Sequence, residues 1–331
     1  MTRITATRTE LWSLCALAVL GFLALGANPH WEDIPLPGPA TRFDYQSLDT
    51  TTNRLYVSHM NAGELVVFDL GGHHVLGVVR DLPRVTGICA VPALGKVYAS
   101  VPGTHEVAVI DARSLRVEAR VGGIGFPDGI AYAPESRKVY VSDESGGGEL
   151  VIDGLSNRVV TTIPLGGEAG NTVFDPGAAR ILVAVQTRGE VVEIDPRTDR
   201  VVARHRLSGA TRPHGMTLDS LHRLLFVADE ERAVLLTVDM RSMTVVERHG
   251  VGEEPDVLAF DPAWLRLYVA SESGTVSVFA ERNGRLVSEG RVTLPHAHSV
   301  SVDPRTHLVY LPLQNVRGHP VLRIMSPRPA G

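Results

Sequence analysis

Apolar and polar residues alternate along most of the chain in short runs, each broken by Asp, Asn, Gly or Pro. Alternation of that kind is the pattern of half-buried strands. Beyond residue 27 no stretch keeps a helical period. One unit recurs: an apolar residue, an aromatic, then Val, followed by a polar turn, a second apolar strand and an acid. Its centres are Tyr56, Tyr98, Tyr140, Leu182, Phe226, Tyr268 and Tyr310, spaced 42, 42, 42, 44, 42 and 42 residues apart. Each period holds four strand-like runs, which in the third unit fall at 129–133, 138–142, 149–152 and 158–164. Four strands in about 42 residues, seven times over, predict an all-β fold, a seven-bladed β-propeller of four-stranded antiparallel blades.

The chain ends predict how the ring closes. The last unit stops after its third strand, at 321–325, and lacks an outer one. Residues 31–36, Trp-Glu-Asp-Ile-Pro-Leu, match the outer run Val160-Thr161-Thr162-Ile163-Pro164-Leu165 of the third unit. An N-terminal strand is therefore expected to complete blade seven, making residues 28–331 one domain. Residues 1–27 read differently. Arg3 and Arg8 precede an uncharged apolar run at 11–25, with small residues around Gly26 and Ala27. This is the pattern of an export signal cleaved near Gly26 or Ala27, with an uncleaved anchor as the alternative. The expected location is periplasmic or extracellular, with membrane contact only through that segment. Leu14 before Cys15 does not suit a lipoprotein site.

Composition narrows the function classes. The chain has 331 residues, 44% hydrophobic and 5% aromatic, with 2 Cys and a net charge of -5. Loss of 1–27 removes two Arg and one Glu, leaving 30 basic against 36 acidic residues. No Lys/Arg block marks a nucleic-acid footprint, so no such partner is expected. Cys89, the one cysteine after the leader, reads as a buried structural thiol. The Gly-rich run 122–125 has no helix behind it and makes no phosphate loop. A monomer is expected.

Comparing the seven units with one another separates scaffold from candidate site. Asp69, Asp111, Asp153, Asp195, Asp239 and Glu281 form one column and Asp49, Asp175, Asp219, Asp261 and Asp303 another. Both end strands and begin turns, where a carboxylate accepts backbone amides. The column twelve residues before each centre instead varies in kind: Asp44, Thr86, Asp128, Gly170 (followed by Asn171), His214, Asp256 and His298. In a propeller these positions converge on the mouth of the central channel. The turns between second and third strands bring His59, His105, Asp143, Glu144, Asp229, Glu230 and Glu272 to the same face. Three Asp and two His around one axis suit a divalent ion such as Zn, Mn or Fe, or a general base. The candidate ligand-binding set is Asp44, Thr86, Asp128, Asn171, His214, Asp256 and His298. The candidate metal ligands are His214, Asp256, His298 and Asp128, with His214, Asp256 and His298 as the local trio. The two-residue surplus falls at 208–213, just before His214.

The units resemble the YVTN family of propeller repeats, through Tyr56-Val57, Tyr140-Val141 and Tyr268-Val269. Phe43-Asp44-Tyr45 and His298-Ser299-Val300-Ser301-Val302-Asp303-Pro304 are similar to segments of its YncE-like periplasmic branch. Phe126-Pro127-Asp128-Gly129 and Pro213-His214-Gly215 resemble the Pro-x-Gly turns of NHL propellers. Leu182 and Pro312 depart from the pattern. The resemblance implies export and fold more than activity, although some seven-bladed relatives are sugar-lactone hydrolases and others carry haem or copper. Two functions are expected from residues and resemblance together. The first is non-catalytic binding of a small molecule, metal ion or protein partner at the channel mouth. The alternative is a metal-assisted, lactonase-like hydrolase or lyase using the Asp/His ring.

Overall fold

The computed structural model describes residues 30–327; the expected leader and its cleavage position lie outside the described residues. Seven four-stranded antiparallel sheets follow one another around a ring, as the repeat predicts. In each, strands A to D run from axis to rim. Blade three comprises Pro127–Ala133, Lys138–Asp143, Gly148–Asp153 and Arg158–Pro164. Its bounds match the sequence reading to within two residues. Strand D alternates exposed and half-buried side chains, as in Thr244–Gly250. Strands B and C are buried on both faces, because each blade is covered by a neighbour on either side.

Ring closure is as expected. His30–Pro35 pairs antiparallel with His319–Ser326, from His30 opposite Ser326 to Pro35 opposite Val321. Seven apolar clusters fill the seven seams between blades. The closing seam joins Leu36, Tyr310, Leu322 and Ile324 to Leu55, Val57, Val66 and Phe68.

The two acid columns hold turns. Asp111 Oδ1 accepts the Ser114 amide at 2.7 Å, and Asp153 Oδ1 accepts that of Ser156 at 2.7 Å. Asp49, Asp219 and Asp261 each accept two backbone amides. Strand B aromatics add ties between blades. The Tyr98 hydroxyl donates to the Gly154 carbonyl at 3.1 Å in the next blade, and Lys96 Nζ donates to Asn157 Oδ1 at 2.8 Å. Cys89 is half-buried rather than fully buried, and desolvation pushes its thiol up to about 12, which leaves it unreactive.

Deleting residues 30–36 strips the outer strand from blade seven and uncovers the closing seam. We expect the thermal midpoint to fall by at least about 10 °C, several kcal/mol in a domain of this size. Circular dichroism melting of the deleted and full chains checks this; an unchanged midpoint would contradict closure by that strand.

Candidate functional site

The varying column forms a buried ring at one end of the axis, and a bulge aims it there. In blades three to six, strand A carries one residue more than strand B across 127–130, 169–172, 213–216 and 255–258. Asp128, Gly170, His214 and Asp256 lie within those bulges, which turn a side chain out of the pleat. Asp44 and Thr86 stand just before strand A of blades one and two, bonded through their amides to Ser58 and Ser100 carbonyls at 2.9 and 3.0 Å.

The innermost strands approach closely, and this explains the glycines that follow ring residues. A Cβ on Gly87 would lie 1.8 Å from the Asp128 carbonyl oxygen, and one on Gly215 would lie 1.7 Å from that of Asp256. At Gly170 a Cβ would come within 2.9 Å of His214 Nδ1, so blade four gives up its ring side chain to make room for the imidazole.

Asp44, Thr86, Asp128, His214, Asp256 and His298 are each between 2% and 7% exposed. They form a layer between two cavities. Above is a mouth cavity of about 1020 Å³, lined by Arg42, Arg212, Glu230, Glu254 and Glu272 among others. Below is the channel, about 330 Å³, where Asn171 lies beside Tyr45, Thr172 and Met216.

His214 is the hub of the layer. Its Nε2 lies 3.3 Å from Asp256 Oδ1, 3.9 Å from Asp128 Oδ2 and 3.2 Å from the Tyr45 hydroxyl, while Nδ1 faces Glu230 at 3.7 Å. The Tyr45 hydroxyl also lies 3.4 Å from Asp128 Oδ2, to which it donates. Burial alone would depress the imidazole, but the Asp256 contact and the charges of Asp256, Glu230 and Asp128 lift it to about 10. His214 is therefore an imidazolium at neutral pH. Burial would raise Asp256, yet His214 first and Arg42 after it hold it below the usual carboxylate range. Asp128 is pushed up to about 7, by burial first and by Glu144 and Asp256 next, with His214 opposing. Burial, then Asp256 and Asp128, pushes Asp44 well up, and burial depresses His298, which stays neutral. Burial likewise keeps the Tyr45 phenol protonated.

The expected trio is not the one that closes. Asp44, Asp256 and His298 bring ligand atoms within 4.8 Å of one another, whereas His214 stands outside that group as the counter-ion of Asp256. Thr86 serves the scaffold, its hydroxyl donating to the Pro127 carbonyl at 3.1 Å. Strand parity divides the turn residues. Asp143 accepts the amides of Gly125, Phe126 and Gly146, and Asp229 those of Thr211, Arg212 and Arg232. His59 stacks on Phe43 at 4.1 Å, and His105 bonds the Gly125 carbonyl. One residue further on, the side chains face the mouth: Glu144, Glu230 and Glu272 receive its arginines.

Those arginines, with Tyr45, are what sequence reasoning missed. Arg42 Nη2 pairs with Glu272 at 2.6 Å; Arg212 pairs with Glu168 at 2.9 Å, Glu230 at 3.0 Å and Glu144 at 3.7 Å. The signal was present two residues upstream of the ring, in the column Arg42, Arg84, Phe126, Glu168, Arg212, Glu254 and His296. An extended chain returns to the same side every second residue, so this column stands above the first. The 208–213 surplus lies in the loop that carries Arg212.

Gly215→Ala should cost more than about 2 kcal/mol, since backbone must move to admit the methyl group, whereas Gly122→Ala, with nothing within 4 Å of its Cβ, should stay within about 0.5 kcal/mol of wild type. Denaturant unfolding of both variants checks this, and equal losses would contradict the close approach. A second expectation concerns pH. Asp128 titrates near 3.8 when unfolded and about 7 when folded, so the native state holds its proton longer and loses stability as pH rises through that window. Asp128→Asn removes the slope. In chelator-treated protein it should gain on wild type between pH 4 and 8, by up to about 4 kcal/mol, and show no gain below pH 4. Melting curves across pH check this, and parallel curves would refute it.

No family model and no curated protein matches the chain by sequence. Solved structures match it by fold. A chain of Kuenenia stuttgartiensis hydrazine synthase aligns at a TM-score of 0.74 and 16% identity, covering 88% of this chain and 96% of its own. U3-55K aligns at 0.75 and 10% identity, covering 90% and 98%. Virginiamycin B lyase from Staphylococcus aureus aligns at 0.75 and 9% identity, covering 90% and 100%. At these identities the likeness is one of fold: the chain is a seven-bladed β-propeller.

Proposed function

We propose that this protein is an exported propeller of YVTN type that binds a small organic cation in its mouth cavity without transforming it. Export rests on the character of residues 1–27 and the YVTN assignment on the repeat itself. The binding reading rests on one observation: the mouth arginines nearest the axis are already paired. Arg42 is engaged by Glu272, and Arg212 by Glu144, Glu168 and Glu230. Glu231, Glu253 and Glu254 line the same cavity and make no ion pair among the described residues, against Arg232 alone, which donates to Thr211. The net field inside the cavity is therefore negative, and its volume suits a metabolite-sized guest. A protein loop bearing Lys or Arg would satisfy the same lining.

A second reading, metal-assisted hydrolysis or elimination on a lactone-like ring, draws on Asp128, Asp256, His214 and His298. The Tyr45–His214–Asp128 contacts favour it, since they could pass a proton. The near-complete burial of these groups favours binding, because a substrate in the mouth meets Arg42, Glu230 and Glu272 before it meets the ring.

Thermal-shift and calorimetric titration with putrescine, spermidine, lysine and arginine, against succinate and citrate, test the binding reading. At least one amine should raise the midpoint, and Glu253→Gln with Glu254→Gln should weaken it tenfold or more. His222→Ala, outside the mouth, should change nothing. Stabilisation by the anions alone, or by no member of the panel, would overturn it.

A further inference from the structure

We propose that Asp44, Asp256 and His298 bind one divalent transition-metal ion beneath the mouth cavity. The site deepens the mouth-binding reading by supplying a charged floor, but it does not depend on an organic guest. The entrances to strand A in blades one, six and seven deliver these side chains to one point, and their ligand atoms lie within 4.8 Å of one another. Three ligands about 2.1 Å from a tetrahedral ion stand about 3.4 Å apart, so only a modest contraction is required.

An acidic pair beside an imidazole is not enough to make a site. The second observation is that the group contains a buried ligand atom with nothing to bond. His298, 3% exposed, keeps Nε2 without a hydrogen-bond partner, and its Nδ1 stands 3.9 Å from Glu272. Buried polar atoms are rarely left so, and an ion would satisfy this one.

Charge points the same way. Asp44, Asp128 and Asp256, with Glu230 and Glu272, lie around Arg42, Arg212 and His214, and Arg212 is taken up by Glu144, Glu168 and Glu230. Arg42 makes its direct ion pair with Glu272, and no lysine or arginine contacts Asp44 or Asp256 directly among the described residues. One imidazole nitrogen with two carboxylates suits Zn, Mn or Fe rather than Ca, whose shells are all oxygen.

A comparison within the molecule sharpens the inference. Asp219, His222 and Glu281 also converge, but there His222 Nδ1 already meets Asp219 at 2.7 Å and Glu281 at 3.0 Å, and Asp219 accepts two backbone amides. There the imidazole already bonds a carboxylate at hydrogen-bond distance, whereas the buried His298 Nε2 has no partner.

The full chain, stripped with a chelator, should be titrated with ZnCl2, MnCl2 and CaCl2 by calorimetry. We expect one equivalent of Zn or Mn to bind at micromolar concentration or below, with Ca at least 100-fold weaker. Asp44→Asn and His298→Ala should each weaken binding at least tenfold, and His222→Ala should leave it unchanged. Electron spin-echo modulation of the Mn-loaded wild type should show coupling to one imidazole nitrogen, a readout that stands even if a variant fails to fold. No saturable equivalent, affinity undiminished in both axial variants, loss in His222→Ala, or no nitrogen coupling would each overturn the site. Amine binding by the chelated protein, measured alongside, separates the two readings: if it persists while no metal binds, only the metal site falls.

Discussion

Everything in this molecule depends on a seam made from both ends of the chain. Each blade buries its two faces against two neighbours, so no sheet is complete until the ring is closed. His30–Pro35 supplies the fourth strand of the blade that begins at Ser301 and ends at Ser326. A single opened seam would expose an apolar cluster of the size that fills every other seam and leave a strand edge unpaired. Nearest-neighbour stacking of this kind shares stability among repeats, yet the closing pair alone turns an open array into a ring.

Closure has an electrostatic consequence. Seven strand A entrances are forced onto one axis, and whatever they carry is buried together. The protein manages the crowding by sterics and by charge. Gly87, Gly129 and Gly215 let adjacent backbones approach, and Gly170 leaves space for the His214 ring. The His214–Asp256 pair then offsets one buried carboxylate, while Asp128 and Asp44 hold their protons more tightly than free carboxyls do. A buried charge without a partner is costly, so a ring this acidic has to be protonated, paired or filled by a cation.

Much of this could be read from the chain. A period of 42 residues, the four runs per period and the matching 31–36 segment were sufficient for blade number, strand order and closure, because these follow from local alternation and turn chemistry. The column Asp44 to His298 was legible because it varied while its neighbours repeated. What escaped was geometry at a finer scale than strand position. Bulges leave no mark in an alternating pattern, so the grouping of Asp44, rather than His214, with Asp256 and His298 could not be read from blade order alone. Tyr45 lay hidden as one more aromatic in an apolar run. Its hydroxyl reaches across the axis to blades three and five, a contact 83 and 169 residues away in sequence.

The arginines of the mouth show how far internal comparison can go. Arg42 and Arg212 occupy the same column, two residues above the ring, in blades one and five. Their partners come from that column and from the turns one position past Asp143, Asp229 and Ser271. Alternation thus builds the site in two tiers: inward residues at one parity tie the scaffold, and those at the next meet solvent in the cavity. Arg212 touches glutamates of blades three, four and five, and it stands in the loop that contains the only departure from the 42-residue spacing. An insertion that merely lengthened a surface loop would have no reason to carry a residue bridging three blades. Its position ties the irregularity of the repeat to the wall of the cavity, where the seven units stop being equivalent and selection for a ligand can act on one of them alone.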